Sequence, residues 1–186
     1  MKIALAGVIL FCIGAAALHA QQPGISNEGD VRKTLAAIET HSQRLATFLD
    51  EIQPRNWASN GVPAGYVTQA NSSRNELQAV IASAKSLNRN PENLSDELEL
   101  LIQVRTLESM LGSLSEGIRK YHNPAIADML NSAVAENAGN RDRLQGYILE
   151  LAKAKEQEFR VADQEAQRCR QSLSRDRVAP AKQGKR

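Results

Sequence analysis

The side chains best suited to chemistry in this sequence are few. Histidine occurs only as His19, His41 and His122, and neither of the last two stands in the Glu-x-x-His pair of di-iron helical bundles. The two cysteines, Cys12 and Cys169, form neither a C-x-x-C-H haem attachment nor a thiolate pair for zinc. No glycine-rich phosphate loop, G-x-S-x-G or H-E-x-x-H sequence occurs. We therefore predict a protein that is not an enzyme, with no catalytic residues, no cofactor and no metal.

Adjacent acidic residues could in principle supply a general acid and base. Asp50-Glu51 and Asp96-Glu97, however, lie at the ends of predicted helices, where acids near a helix start are also electrostatically favourable. We interpret both pairs as surface charge.

A group of polar residues is predicted to lie inside a helical interface. If the third and fourth predicted helices form a tight hairpin about Asn123, five polar side chains meet among aliphatic neighbours: Arg105, Glu108, Asn137, Arg141 and Asp142. A polar layer of this kind fixes the register of packed helices more than it adds stability, and this is our interpretation. A site for a polar small molecule or ion is the alternative.

The helix that carries half of this layer has the densest apolar stripe in the chain. Its residues recur at alternating steps of four and three for three heptads: Leu100, Val104, Leu107, Leu111, Leu114, Ile118 and Tyr121. Such stripes predict helices over about 27–53, 63–88, 95–122 and 124–173, and aromatics at only 4% argue against a β fold. We predict an all-α fold, an antiparallel up-down-up-down four-helix bundle. Whether the fourth helix is continuous through Gly139 and Gly146 stays open.

The fourth predicted helix is too long for the bundle. About 50 residues would extend roughly 75 Å at ~1.5 Å per residue, against about 40 Å for the others. Its C-terminal half should therefore project, with a second stripe along one face: Phe159, Ala162, Ala166, Cys169 and Leu173. We expect this stripe to be an interface, either with another protein or in a parallel coiled-coil homodimer with Cys169 paired across the axis.

The N-terminus has the layout of a secretory signal peptide. Lys2 precedes an apolar run from Ile3 to Leu18, which is shorter than the ~20 residues of a membrane span. We assign residues 1–20 to the signal and 21–26 to a short lead, with cleavage after Ala17 or Ala20. The mature chain would then be secreted, periplasmic or extracellular, and would retain only Cys169.

Charge is unevenly distributed along the chain. Residues 168–186 carry seven bases and one acid, whereas 21–167 carry 15 bases and 20 acids. We predict that 27–173 form the helical body and that 174–186 form a disordered basic tail. The overall charge of +2 gives no argument for nucleic acid, but the tail could contact an anionic envelope surface.

The sequence therefore predicts an exported interaction, scaffold or adaptor protein of unspecified role. Two alternatives remain open. The bundle could bind a small molecule or ion, at the polar layer or near Trp57 in the 54–65 loop, or the protein could be held at the envelope by its tail.

Overall fold

The computed structural model describes residues 28–52 and 61–178, with side chains described as far as Ser174. The predicted signal segment and lead, the part of the loop from 53 to 60 that contains Trp57, and residues 179–186 lie outside the described residues. In the described part the chain is entirely helical apart from turns, which confirms the predicted all-α bundle. The helices are α1 (Glu28–Glu51), α2 (Ala64–Leu87), α3 (Leu94–Tyr121), α4 (Pro124–Ala135) and α5 (Ala138–Val178).

Two asparagines start helices at the turns that flank α3. The Asn93 side chain accepts a hydrogen bond from the backbone N–H of Asp96, so α3 begins at Leu94. Asn123 accepts from the N–H of Ala125 at 2.9 Å, and Pro124 occupies the first turn of α4, where its missing N–H costs nothing. These caps keep the α2–α3 and α3–α4 connections short, so consecutive helices pack as neighbours.

Contacts between α1 and α2 run in opposite order along the two helices. Arg32, near the start of α1, donates to the carbonyl oxygen of Asn88, just beyond the end of α2. Arg74, in the first half of α2, donates to the carbonyl oxygen of Leu49 near the end of α1, at 2.8 Å. This order is that of antiparallel neighbours.

Contacts between α3 and the α4–α5 segment also run in opposite order along the two segments. Arg119 near the end of α3 bonds to Asp128 of α4 at 2.6 Å, and Glu108 in the middle of α3 bonds to Arg141 of α5 at 2.7 Å. Between the helices lies one aliphatic core, because each stripe faces the others. Its largest fully buried apolar side chains are Leu35, Ile38, Leu49, Leu77, Leu100, Leu111, Leu114, Ile118, Leu130, Leu144 and Leu151.

The predicted fourth helix is interrupted, which corrects the single helix expected over 124–173. The break falls at Glu136 and Asn137, and both Gly139 and Gly146 lie within α5. The backbone N–H of Asn137 donates to the carbonyl oxygen of Val134, three residues back instead of four. The backbone carbonyl oxygen of Asn137 then accepts from the N–H groups of Asn140 and Arg141, which starts α5. Asn137 thus closes one helix and opens the next.

The C-terminal part of α5 projects from the bundle. Leu151 is the last buried side chain, and from Glu156 to Ser174 all side chains are exposed except that of Ala166, which is half-buried. The part of α5 after Leu151 extends about 40 Å at roughly 1.5 Å per residue. α5 continues to Val178, so residues 174–178 of the predicted disordered tail are helical. No helix within 28–52 or 61–178 contains a stretch that is both long and apolar enough to cross a membrane.

Candidate functional site

The structure brings together three of the five residues predicted for the polar layer, in an ion pair between α3 and α5 that Asp142 extends. Arg141 Nη1 lies 2.7 Å from Glu108 Oε2, and Arg141 Nη2 lies 3.1 Å from Asp142 Oδ1. The hydrogen bond from Arg141 to Glu108, followed by that to Asp142, raises the pKa of Arg141. The side chains of Arg141 and Glu108 are 27% and 22% exposed, so this pair is only partly screened by water.

Two further residues of the predicted layer, Arg105 and Asn137, bond to other partners. Arg105 is exposed and donates to Gln145 Oε1 at 2.6 Å, so it does not join Glu108. Asn137 is buried, with 5% of its surface exposed, and its Oδ1 accepts from the side chain of Asn140 at 3.1 Å. Arg105 therefore belongs to the bundle surface, whereas Asn137 belongs to the interior beside Glu108.

His41 also belongs to this interior group, although it is not among the residues predicted for the polar layer. It is 4% exposed, its Nδ1 lies 3.2 Å from Nη2 of Arg44, and Arg44 also bonds to Glu136 at the helix break. Burial, followed by the charge of Arg44, lowers the pKa of His41, against opposite effects of Glu136 and Glu108. The available signal was its position three residues after Ile38, which places it on the inner face of α1. Ser42, four residues after Ile38, lies on the same face and is also buried.

The interpretation of Asp96-Glu97 as surface charge is wrong for Glu97, which is fully buried. Its exposed fraction is 0%, and neither carboxyl oxygen has a hydrogen-bond partner among the described residues. Burial, followed by the charge of Asp96, raises the pKa of Glu97 from 4.5 to about 7. The sequence carried a signal for this: Glu97 stands three residues before Leu100 and continues the four-three rhythm of the α3 stripe.

Tyr147 of α5 closes the bundle end that contains Glu97. Its hydroxyl donates to the carbonyl oxygen of Pro91 at 2.8 Å, which ties α5 to the α2–α3 turn. Burial, followed by the charge of Glu97, raises the pKa of Tyr147 to about 12. The tyrosine is therefore neutral at physiological pH and acts as a structural donor.

The second predicted group, on the projecting half of α5, has no partner helix among the residues that the structure describes. The exposed fractions of Phe159 and Leu173 are 74% and 58%, and Cys169 is an exposed free thiol. Ala162 is exposed and Ala166 half-buried. Seven-residue spacing puts Phe159, Ala166 and Leu173 in line, so the face is continuous but rich in small residues.

The described residues bring together no set suited to metal binding. No group of three or more His, Cys, Asp or Glu side chains within 28–52 and 61–178 could hold a metal ion.

Comparison of the chain with models of protein families, with curated proteins and with solved structures finds no match. The structure alone therefore defines the class, an all-α bundle with a partly buried ion pair between α3 and α5 and a projecting helix.

The ion pair gives a prediction that separates the two arginines of the layer. Arg141→Leu should lower the free energy of unfolding by about 1 kcal/mol, because Glu108 is left partly buried without its cation. Arg105→Leu should change it by less than about 0.5 kcal/mol, since Arg105 is a surface residue. Urea denaturation of both variants measures the difference, and equal losses would contradict the assignment.

Proposed function

We propose that this chain is an exported, non-enzymatic helical-bundle protein that acts as a scaffold or adaptor through the projecting half of α5. The observation that supports this most directly is the exposure of α5 from Glu156 to Ser174, with Phe159 and Leu173 on one face. A lone helix of this length is only marginally stable in water, because most helical stability comes from packing an apolar face. A partner helix would supply that packing.

Export is the part of the proposal supported only by sequence, through the signal-peptide layout of residues 1–20. Expression of the full chain with its own N-terminus, followed by mass measurement of the protein outside the cytoplasm, tests it. The expected mass corresponds to a chain that begins at Leu18 or Gln21. Retention of the intact chain inside the cell contradicts export without bearing on the α5 interface.

A second copy of the chain is the partner that we propose. With Phe159, Ala166 and Leu173 at the a positions of heptads, Glu165 occupies a g position and Arg170 the following e position. In a parallel pair, Glu165 of each copy faces Arg170 of the other with opposite charge. Cys169, an exposed thiol, then lies opposite its counterpart across the axis.

A charge introduced into the apolar seam, the face formed by Phe159, Ala166 and Leu173, should weaken this dimer. Phe159→Glu should raise the dissociation constant at least tenfold, because burial of a phenylalanine contributes about 1.5–3 kcal/mol and each 1.4 kcal/mol is a factor of about ten. Val161→Glu is the matched control, since Val161 is also exposed but lies off the seam. Sedimentation equilibrium over a range of concentrations measures both variants. A wild-type protein that stays monomeric would refute the homodimer.

The direction of the two helices can be tested with a single charge reversal. In a parallel pair Asp163 at an e position faces Glu158 at a g position, so Asp163→Lys should strengthen dimerisation. In an antiparallel pair e positions face e positions, and the same change would place the introduced lysine against Arg170 and weaken dimerisation. Non-reducing electrophoresis gives the second readout, because only the parallel arrangement brings Cys169 directly opposite Cys169 in the partner copy.

A further inference from the structure

The imidazole of His41 is buried in the bundle, and its contact with Arg44 determines which ring nitrogen carries the proton. Nη2 of Arg44 lies 3.2 Å from Nδ1 of His41. A guanidinium can only donate, so Nδ1 must be the acceptor and the neutral imidazole carries its proton on Nε2. The lowered pKa of His41 agrees with a neutral ring at pH 7.

This Nε2–H has no hydrogen-bond partner among residues 28–52 and 61–178, although it is buried. A buried donor without an acceptor destabilises the folded state, and folded proteins seldom contain one. His41 lines a cavity of about 10 Å³ together with three further polar residues, Ser42, Glu108 and Asn137. The remaining walls are aliphatic, so these four residues define the polarity of the cavity.

We propose that this cavity binds one water molecule, which accepts from His41 Nε2 and donates to the Glu108 carboxylate. The volume is at the lower limit of about 10–15 Å³ that holds a single water, whereas pockets for small organic molecules measure about 300–1,000 Å³. The surroundings also suit water, which usually makes about three hydrogen bonds in such sites, and Ser42 and Asn137 offer the additional groups.

At this position the water links two helices of the bundle. It joins α1, through His41, to α3, through Glu108, directly beside Asn137 at the break between α4 and α5. The water thereby completes the polar layer that Arg141 and Glu108 begin on the α3–α5 side. This inference is independent of the proposed function, since it concerns the bundle and not the projecting half of α5.

The number of long-lived internal waters tests the proposal. Magnetic relaxation dispersion of water oxygen-17 should detect one more long-lived water in the wild type than in His41→Leu, because leucine removes the donor that holds the water. Thr40→Leu, at an exposed neighbouring position, is the matched control and should equal the wild type. An equal number in wild type and His41→Leu would overturn the proposal.

A second measurement keeps the test valid if His41→Leu fails to fold. Long-range nitrogen–proton NMR spectra of the wild type should show a neutral His41 ring protonated at Nε2. A high-resolution crystal structure of the wild type should show a density peak within hydrogen-bond distance of that atom. Protonation at Nδ1, or no peak at Nε2, would also overturn the proposal.

Discussion

Replacing Glu97 with glutamine should raise the free energy of unfolding by about 3 kcal/mol at pH 8 and change it far less at pH 4.5. The carboxyl group is fully buried and has no hydrogen-bond partner among the described residues, so its ionisation in the folded state is costly. Its pKa rises from 4.5 to about 7 on folding. At about 1.36 kcal/mol per pKa unit, this shift corresponds to about 3 kcal/mol.

The sign of the pH dependence follows from the direction of that shift. The folded state binds the Glu97 proton more tightly than the unfolded state does. The contribution of Glu97 to stability is therefore fully present below pH 4.5, decreases as the pH rises, and is lost above about pH 7. Glutamine cannot ionise, so the variant should lack this decrease.

Urea denaturation of wild type and Glu97→Gln at several pH values between 4.5 and 8 measures the effect. The difference between the two curves isolates Glu97, because other titrating groups such as His41 contribute to both. Glu99→Gln is the matched control, since Glu99 lies on the exposed side of the same helix turn. All measurements need one protein concentration, as dimerisation adds to apparent stability. A difference that does not change with pH would contradict the buried, unpaired state of Glu97.

Two glycines of α3 should respond in opposite directions to the same substitution. Gly117 is buried against α2, and a Cβ at this position would overlap the ring of Tyr66. Gly112, about one and a half turns earlier, has nothing within 4 Å of the corresponding Cβ position. Gly112→Ala should stabilise the protein by up to about 1 kcal/mol, because alanine is the better helix former. Gly117→Ala gains the same propensity but adds an overpacking cost of about 1–3 kcal/mol.

The surroundings of Tyr66 determine whether that cost can be avoided. Its ring packs against Tyr121 with the centroids 5.5 Å apart, so the ring cannot move freely away from Gly117. We therefore expect Gly117→Ala to be less stable than Gly112→Ala by about 1–3 kcal/mol in urea denaturation. Tyr66→Leu should reduce the effect of Gly117→Ala, and the two substitutions should be non-additive. Equal effects of alanine at 112 and 117 would show that α2 and α3 are not in close contact there.

The helices are the part of the structure that sequence periodicity predicts best. The apolar stripe of α3 is buried from Leu100 to Ile118, and the first three helices begin and end within two residues of the predicted bounds. The excess length of the last helix also predicted its projection. Each of these features is local, because it depends on the spacing of residues along a single helix.

The polar groups were predicted less completely, for a physical reason. The four-three rhythm gives the apolar face of a helix but not the rotation and register of its neighbours. The rotation and register of the helices determine that Arg141 bonds to Glu108, whereas Arg105 lies on the surface and bonds to Gln145. They also decide that His41 and Asn137 share one small cavity.

The sequence by itself determined an all-α chain with a long last helix, since stripe spacing, caps and helix length are properties of the chain. Only the tertiary structure decided that the last helix breaks at Asn137 and that Glu97 is enclosed. Asn137 has helix-compatible neighbours, and it breaks the helix where its side chain also faces the interior beside Glu108. Glu97 continues the spacing of the α3 stripe, but it is acidic and stands in a first turn, where exposure to solvent is the ordinary expectation. Its burial results from the packing of α5 over the start of α3, where Tyr147 reaches Pro91 and closes the end of the bundle.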